Sequence, residues 1–305
     1  MSSTPQWDPA VLARLGQLHL RARGLVSGLT HGHHKSLRVS RNVEFADYKE
    51  YTPGDDLRDL DWKVYSRNDR MVVRRQQSED ELSVVFILDA SADMSTGETG
   101  QHPALSGTKL GTAITMIATM AYYLQHRGEP IGLAVLGGEG VLQPWIPPRR
   151  GANHLAQIFA SLASVKPGGA EVLAEGFSQI GTRVPRRAAV VVVSDLMEEP
   201  ESWGPPLSAM LRRQADLRIA HVYDRKEWEM DFRSSARFFS PEGGSPMPID
   251  PDTVREAFSE IVQEYLAEVR QWLGRSRALH VLAASDEPLE VPIGRLLSGV
   301  LSGGS

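Results

Sequence analysis

The sequence contains no cysteine among its 305 residues. The chain therefore cannot form disulfides, use a thiolate as a nucleophile, or bind zinc or an iron–sulfur cluster through cysteine ligands. A chain without cysteine is compatible with a reducing compartment, and we expect a cytoplasmic protein.

Long apolar runs are missing as well. No stretch approaches the roughly 20 apolar residues that a membrane-spanning helix needs. The richest apolar segment, residues 110–124, is interrupted by Thr112, Thr115 and Thr119. Polar and charged residues are spread through the first 20 positions, which therefore lack the apolar run of a signal peptide. We predict no membrane span.

The chain has no excess of positive charge, since its formal net charge is −5. This charge gives no overall attraction to nucleic acid or to anionic membranes, and aspartates interrupt the arginine-bearing stretch 58–75. Neither a Walker-type phosphate loop nor a nucleophile elbow occurs in the sequence. At 41% hydrophobic residues, however, the chain can bury a substantial core.

A strongly apolar stretch, residues 82–88, stops abruptly at an aspartate. Six of its seven residues are apolar, a pattern typical of a strand buried on both faces of a parallel sheet. Asp89, Ser91 and Asp93 follow at alternate positions, where their oxygens could converge on a hard divalent cation. The alternative is a turn in which these side chains only cap backbone groups.

Apolar strands and amphipathic helices alternate from residue 82 onward. This alternation predicts an α/β fold with a doubly wound, mostly parallel sheet in residues 81–305, interrupted by a small β insertion near 227–249. A second strand, 188–193, runs into Ser194 and Asp195, and adjacent parallel strands would bring Asp89 and Asp195 to one edge of the sheet. Residues 1–80 lack the alternation and are predicted to form an appended N-terminal segment.

Two polar clusters in this N-terminal segment allow two interpretations each. His31, His33 and His34 suggest zinc, but no fourth ligand lies at a recognised spacing, which favours a polar loop. Four aspartates between positions 55 and 61 suggest a nuclease-type metal cluster. Basic residues follow them closely, so structural ion pairs are the favoured role.

Several segments together resemble a bacterial family, the "domain of unknown function 58" proteins, whose members carry a von Willebrand factor A-like domain. The segments that carry the resemblance are Glu44-Phe45, residues 51–58 (Tyr-Thr-Pro-Gly-Asp-Asp-Leu-Arg), Asp61-Trp62, Arg67 and Asp89-Ala90-Ser91. The later pair Ser194-Asp195 and the β insertion also fit the family. The resemblance implies a von Willebrand factor A-like, Rossmann-like fold.

The resemblance also implies a metal-ion-dependent adhesion site (MIDAS), which usually holds magnesium. Asp89 and Ser91 match the first loop of this site, Asp-x-Ser-x-Ser, and Asp195 matches the aspartate of its third loop. Asp93 departs from the pattern because it replaces the final serine, and Ala170 departs because it stands where a threonine ligand is expected. We expect a degenerate Mg²⁺ site formed by Asp89, Ser91, Asp93 and Asp195, with a vestigial site as the alternative.

The function that the resemblance implies is a non-enzymatic adaptor working with a MoxR-type AAA+ ATPase in the assembly or remodelling of other protein complexes. Loops 92–107, 145–151 and 166–170 are expected to form the partner-binding edge, with Arg149 and Arg150 as polar contacts. The alternative is a metal-dependent phosphohydrolase that uses Asp89. Enzymes of the haloacid dehalogenase type need a second aspartate two residues later, where this chain has Ser91 and so lacks the general acid.

Overall fold

A computed structural model describes residues 9–32, 48–50, 72–74, 83–98, 107–141, 144–169, 173–186, 188–212, 216–229, 236–238, 247–249 and 251–298. The chain divides into two compact units: residues 34–81 form one, and residues 1–33 with 82–305 form the other. In the smaller unit, strand β1 (Tyr48–Glu50) pairs antiparallel with β2 (Val72–Arg74). The predicted N-terminal segment 1–80 is thus divided, because its first helix groups with the larger unit.

The larger unit contains the sheet and its flanking helices. The helices are α1 (Pro9–Gly32), α2 (Lys109–His126), α3 (Ala152–Ser164), α4 (Leu173–Gly181), α5 (Pro200–Leu211), α6 (Arg225–Glu229), α7 (Pro251–Arg275) and α8 (Glu290–Leu297). The strands are β3 (Val84–Ala90), β4 (Gly97–Glu98), β5 (Gly107–Thr108), β6 (Ile131–Gly137), β7 (Trp145–Arg149), β8 (Ala189–Ser194), β9 (Asp216–Tyr223), β10 (Ala236–Phe238), β11 (Met247–Ile249) and β12 (Leu279–Ala284). Within the described ranges, none of the helices is both long and apolar enough to cross a membrane.

Six strands form the main sheet in the order β12-β9-β8-β3-β6-β7. All neighbouring pairs are parallel except β6 and β7, which are antiparallel. The prediction of a mixed α/β fold with a mostly parallel sheet is confirmed, whereas its classification as doubly wound stays a prediction. The chain leaves β3 toward β6 on one side and later returns to β8 on the other, so the strand order reverses between β3 and β8.

The central strand β3 is apolar along its length because both of its faces are buried. Val84, Phe86 and Leu88 belong to one buried cluster, which includes residues of α1, α2, α3 and α8. Val85 and Ile87 belong to a second buried cluster, which includes residues of α4, α5 and α7. Helices thus cover both faces, and charged groups near the sheet are confined mainly to the strand ends.

Leu18, Ala22 and Leu29 form a buried stripe on helix α1, which continues to Gly32. Two other elements differ from the sequence-based expectation. Trp145–Arg149 is not a loop but an edge strand, β7, whose Ile146 is buried and whose prolines an edge position tolerates. The predicted insertion at 227–249 begins inside helix α6, although the two-stranded piece β10–β11 within it is present.

The stripe on α1 provides a test of the packing of this helix. Leu18 is fully buried in the cluster shared with α2, α3 and α8, whereas Leu20 on the same helix is 68% exposed. We expect Leu18→Ala to lower the free energy of unfolding by about 2–5 kcal/mol, because it leaves a cavity. Leu20→Ala should change it by less than about 0.5 kcal/mol. Urea unfolding of both variants measures the difference, and equal effects would contradict the packing.

Candidate functional site

The candidate site lies where the strand order reverses, at the carboxyl ends of β3 and β8. In parallel α/β sheets this crevice is the usual place for ligands and functional loops. Asp89 lies near the end of β3 and Ser194 is the last residue of β8. The Ser194 hydroxyl donates a hydrogen bond of 2.6 Å to Oδ2 of Asp89, which joins the two strand ends. We call Asp89, Ser91, Asp93, Ser194 and Asp195 the strand-end cluster.

Asp89 is buried, and both of its carboxylate oxygens accept hydrogen bonds. Oδ1 accepts from the backbone N–H of Ser91 at 2.9 Å, and Oδ2 accepts from Ser194. Burial raises the pKa of Asp89 to about 7, and the neighbouring carboxylate of Asp195 is the second cause of this increase. The carboxyl is therefore partly protonated near neutral pH, and its hydrogen bonds connect the Ser91 turn to the end of β8.

The turn after β8 is strained and held by side chains. Leu196 has a φ of 51°, a left-handed conformation that a leucine rarely adopts. Its N–H donates to the Ser194 hydroxyl at 2.8 Å, and the Tyr265 hydroxyl of α7 donates to its carbonyl. These two hydrogen bonds hold a conformation that is costly on its own, and they fix the position of Asp195 between Ser194 and Leu196.

A buried ammonium group lies next to Asp195. Lys109 is 1% exposed, and its Nζ lies 2.7 Å from Oδ2 of Asp195 and 3.0 Å from Oε2 of Glu227. Burial alone would lower the pKa of Lys109, but the ion pairs with Asp195 and Glu227 outweigh burial and raise this pKa above its usual value. The side chain therefore carries a full positive charge inside the site.

Lys109 is positioned by the start of helix α2. The preceding Thr108 caps the helix, since its Oγ1 accepts from the N–H of Gly111 at 3.1 Å. The Lys109 N–H donates to the carbonyl of Thr96 at 2.9 Å, which anchors the helix start to the loop that follows β3. A positive charge in the first turn interacts unfavourably with the helix dipole, and the carboxylates of Asp195 and Glu227 offset this unfavourable energy.

Glu227 and Asp224 bring the end of β9 to the same place. Asp224 accepts from the N–H of Glu227 at 3.2 Å and from the Ser285 hydroxyl at 2.9 Å. Gly97, with a φ of 121°, lies so close to this region that a Cβ there would be 2.6 Å from the carbonyl of Gly107 and 3.3 Å from Asp224. Burial raises the pKa of Glu227, although the ion pair with Lys109 partly offsets this effect.

Lys109, Glu227 and Asp224 were not among the site residues predicted from the sequence. Lys109 could have been noticed, because it is the first residue of an otherwise apolar helix and a positive charge is unfavourable at that end of the helix dipole. Glu227 carried no comparable signal. Glu227 lies four residues after the end of β9, and only the structure shows that this position is next to the start of α2.

The four predicted metal ligands lie at or just after the ends of β3 and β8. Asp89, Ser91 and Asp195 are buried, and Asp93 is half-buried in a 3₁₀ turn at Ala92–Ser95. Burial, followed by the charge of Asp195, raises the pKa of Asp93, whereas Lys109 acts in the opposite direction. Ala170, the predicted threonine position, lies outside the described residues, as do His33, His34 and the aspartates between 55 and 61.

The described donor set fits an ammonium better than a divalent cation. Oδ2 of Asp195 is paired with Lys109, and the oxygens of Asp89 accept hydrogen bonds from Ser91 and Ser194. Among the described residues, no group of three or more histidine or acidic side chains has an arrangement that could hold a metal ion. His31, the remaining member of the predicted histidine loop, belongs to helix α1. Magnesium binding by the strand-end cluster stays a prediction.

Of the three loops expected at this end of the sheet, the described parts of two, residues 92–98 and 166–169, lie there, and the third, 145–151, does not. Gly168 donates to the carbonyl of Ala90 and Ala92 donates to the carbonyl of Gly169, so residues 166–169 lie beside the loop after β3. Arg149, in contrast, pairs with Ile131 at the start of β6, and Arg150 donates to the carbonyl of Gly128. Because β7 runs antiparallel to β6, the expectation that Arg149 and Arg150 belong to the partner-binding edge is wrong.

Comparison with protein families gives one match over most of the chain. Residues 47–268 match the family described as "Protein of unknown function DUF58". The uncharacterized proteins Rv1480 of Mycobacterium tuberculosis and Mb1516 of Mycobacterium bovis are each 26% identical over 267 residues, which cover 86% of this chain and 81% of theirs.

Two solved structures are similar in part. One is a conserved hypothetical protein, BatB, from Bacteroides thetaiotaomicron, with 12% identity and a TM-score of 0.47. The other is an aerotolerance-related membrane protein from Bacteroides fragilis, with 13% identity and a TM-score of 0.46. Each similarity covers 72% of this chain and 99% of the other chain.

The raised pKa of Asp89 predicts a pH-dependent contribution to stability. The folded state keeps a proton on Asp89 up to about pH 7, whereas the unfolded chain loses it near pH 4. The contribution of Asp89 is therefore fully present below pH 4 and is lost as the pH rises to 7, by at most about 1.4 kcal/mol per pH unit.

The variant Asp89→Asn isolates this contribution, because asparagine does not titrate. Its amide oxygen can still accept from the Ser91 N–H, and its NH₂ group can donate to the Ser194 hydroxyl in place of the bond that Asp89 accepts. The free energy of unfolding of the variant, minus that of the wild type, should increase between pH 4 and pH 7 and then level off. Urea unfolding at several pH values measures this difference. A difference that stays constant across this range would show that Asp89 is ionised in the folded protein.

Proposed function

The chain belongs to the DUF58 family, and we propose that it is a non-enzymatic adaptor that docks onto a MoxR-type AAA+ ATPase through the carboxyl-end edge of its sheet. The partner class comes from the family resemblance of the sequence. In this proposal the protein works in the cytoplasm and helps the ATPase to assemble or remodel other protein complexes. The von Willebrand factor A-like, doubly wound classification of the sheet belongs to the same proposal.

The observation that carries the proposal is the contrast between buried and exposed groups at this edge. The charges of Asp195 and Lys109 pair with each other, and Asp89 is held by Ser91 and Ser194. Two residues after Asp195, Met197 is 51% exposed. A flexible, exposed methionine beside a rigid polar cluster suits a protein-binding surface better than a reaction site.

The exposed groups around the cluster define the docking surface. We call Asp93, Lys166, Met197 and Gly169 the rim surface; Asp93 is half-buried, and Lys166, Met197 and Gly169 are exposed. They lie on loops after β3 and β8 and on the loop that contacts the end of β3. Loops at this end of an α/β sheet can vary without disturbing the core.

The alternative, a metal-dependent phosphohydrolase, gains no support from the same geometry. A nucleophilic carboxylate needs access to its substrate, but Asp89 is buried with hydrogen bonds on both oxygens. The position two residues later is Ser91, so the general acid of that chemistry is missing. A phosphatase screen with Mg²⁺ tests this alternative, and turnover that Asp89→Asn abolishes would establish it.

The docking proposal predicts a weaker complex when the rim surface loses its apolar contact. Met197→Ala should raise the dissociation constant for a MoxR-type ATPase of the same organism by at least about fivefold, the loss expected for a central interface residue. Biolayer interferometry with the full-length chain and the purified ATPase measures it. If the wild-type chain binds no such ATPase, the adaptor proposal fails.

Two controls separate the rim surface from the rest of the protein. Leu279→Ala removes another partly exposed apolar side chain, at the start of β12 and therefore at the opposite end of the sheet. The double change Arg149→Ala/Arg150→Ala removes charge at that same opposite end. Both should leave the dissociation constant unchanged within about twofold. If both controls weaken binding and Met197→Ala does not, the interface lies at the other end.

A further inference from the structure

A buried lysine in the strand-end region has no role in the docking surface just described. The ammonium of Lys109 is 1% exposed and contacts carboxylates that follow two different strands. We infer that Lys109 is a built-in cation that takes the place of the divalent ion in this site, so that the site is assembled without metal. The inference concerns the same region as the proposed function but does not depend on the ATPase partner.

The position of the ammonium supports this inference first. Lys109 Nζ lies 2.7 Å from Asp195, which follows β8, and 3.0 Å from Glu227, which follows β9. Its backbone N–H is bonded to Thr96, which follows β3. One lysine thus links three strand-end loops and the start of α2, which is the structural task of a metal ion that collects ligands from several loops.

The balance of charge supports it second. Asp195 is one of the four predicted metal ligands, and its Oδ2 already faces a positive charge at 2.7 Å. Lys109 also acts electrostatically on Asp93, a second predicted ligand. A divalent ion bound by these carboxylates would lie close to the ammonium and be repelled by it, in surroundings where screening by solvent is weak.

The cost of the arrangement supports it third. Burying a lysine requires full desolvation of the ammonium, and its place in the first turn of α2 also opposes the helix dipole. Such a placement is stable only if the surrounding carboxylates need a cation at that point. Asp195 and Glu227 meet this condition, because the oxygens that face the ammonium are buried and each carboxylate would otherwise lack a charge partner among the described ion pairs.

A plainer interpretation is that Lys109 forms an ordinary buried ion pair and has nothing to do with a metal position. The two interpretations differ in what happens after the ammonium is removed. If it occupies the cation position, Lys109→Met leaves carboxylates that can recruit a divalent ion. If it is only an ion pair, the same change leaves an unpaired cluster that no ion can repair.

The test measures the thermal unfolding midpoint of the full-length chain with and without 10 mM MgCl₂ or MnCl₂ (about tenfold above a millimolar dissociation constant), against NaCl of equal ionic strength. The wild type should shift by less than about 1 °C. Lys109→Met should unfold at a lower temperature and regain about 2 °C or more when the divalent ion is added. Calorimetric titration with the same salts should show binding to this variant and none to the wild type.

Three further variants make the result specific. Lys166→Met makes the same substitution at an exposed lysine and should behave like the wild type. Lys109→Arg keeps the positive charge and should gain no response to the divalent ions. Adding Asp195→Asn to Lys109→Met removes the ligand that the ammonium contacts and should abolish the gained response.

Each outcome decides the question. Binding of Mg²⁺ by the wild type that is lost in Asp195→Asn overturns the inference in favour of a true metal site. A folded Lys109→Met without any response to Mg²⁺ or Mn²⁺ overturns it in favour of the ordinary ion pair. If Lys109→Met is unfolded, Lys109→Met/Glu227→Gln, which carries one carboxylate fewer, is measured instead; failure of both to fold or to gain stability with divalent ions also counts against it. Since the ATPase is absent from these measurements, their result is independent of the docking proposal.

Discussion

The main constraint on this protein is that the central strands β3 and β8 are buried on both faces, so the charged groups of these strands lie at their ends. At the carboxyl ends of β3 and β8, Asp89 and Asp195 enter a region with little solvent, and a second buried carboxylate raises the free energy of the first. Two interactions stabilise these buried carboxylates. Asp89 accepts hydrogen bonds from Ser91 and Ser194 and has a pKa raised to about 7, while Asp195 pairs with the ammonium of Lys109.

These two solutions couple elements that are distant in sequence. The hydrogen bond from Ser194 to Asp89 spans 105 positions and joins the strands at the point where their order reverses. The ion pairs of Lys109 add the start of α2 and the end of β9. Tyr265 of α7 then holds the strained turn at Leu196. Several buried polar groups and one strained turn therefore meet at the carboxyl ends of these strands.

The sequence was most informative where a pattern had one dominant physical cause. The apolar run before Asp89 identified a strand buried on both faces, and the run before Ser194 and Asp195 identified its neighbour, so their shared edge could be predicted from parallel packing alone. In α1, burial of Leu18, Ala22 and Leu29 outweighs the low helix propensity of Gly24 and Gly28. Arg149 and Arg150 were assigned to the wrong end because nothing in the order of elements reveals that β7 reverses direction.

The contact between Lys109, Asp195 and Glu227 could not have been predicted, because it depends on where three loops meet. The contact bears on how the proposed partner would be recognised. A metal with an open coordination position attracts a carboxylate from outside, and its pull is directional and strong. An ammonium that is 1% exposed and already pairs with two carboxylates cannot attract an external carboxylate in this way. If the cation of this site is internal, recognition has to come from the groups around it, Met197 and Lys166 among them. Affinity then rests on apolar contact and shape, with charge contributing mainly to orientation and rate of association. A rim of this kind would bind its partner with less dependence on divalent ions than an adhesion site that holds magnesium.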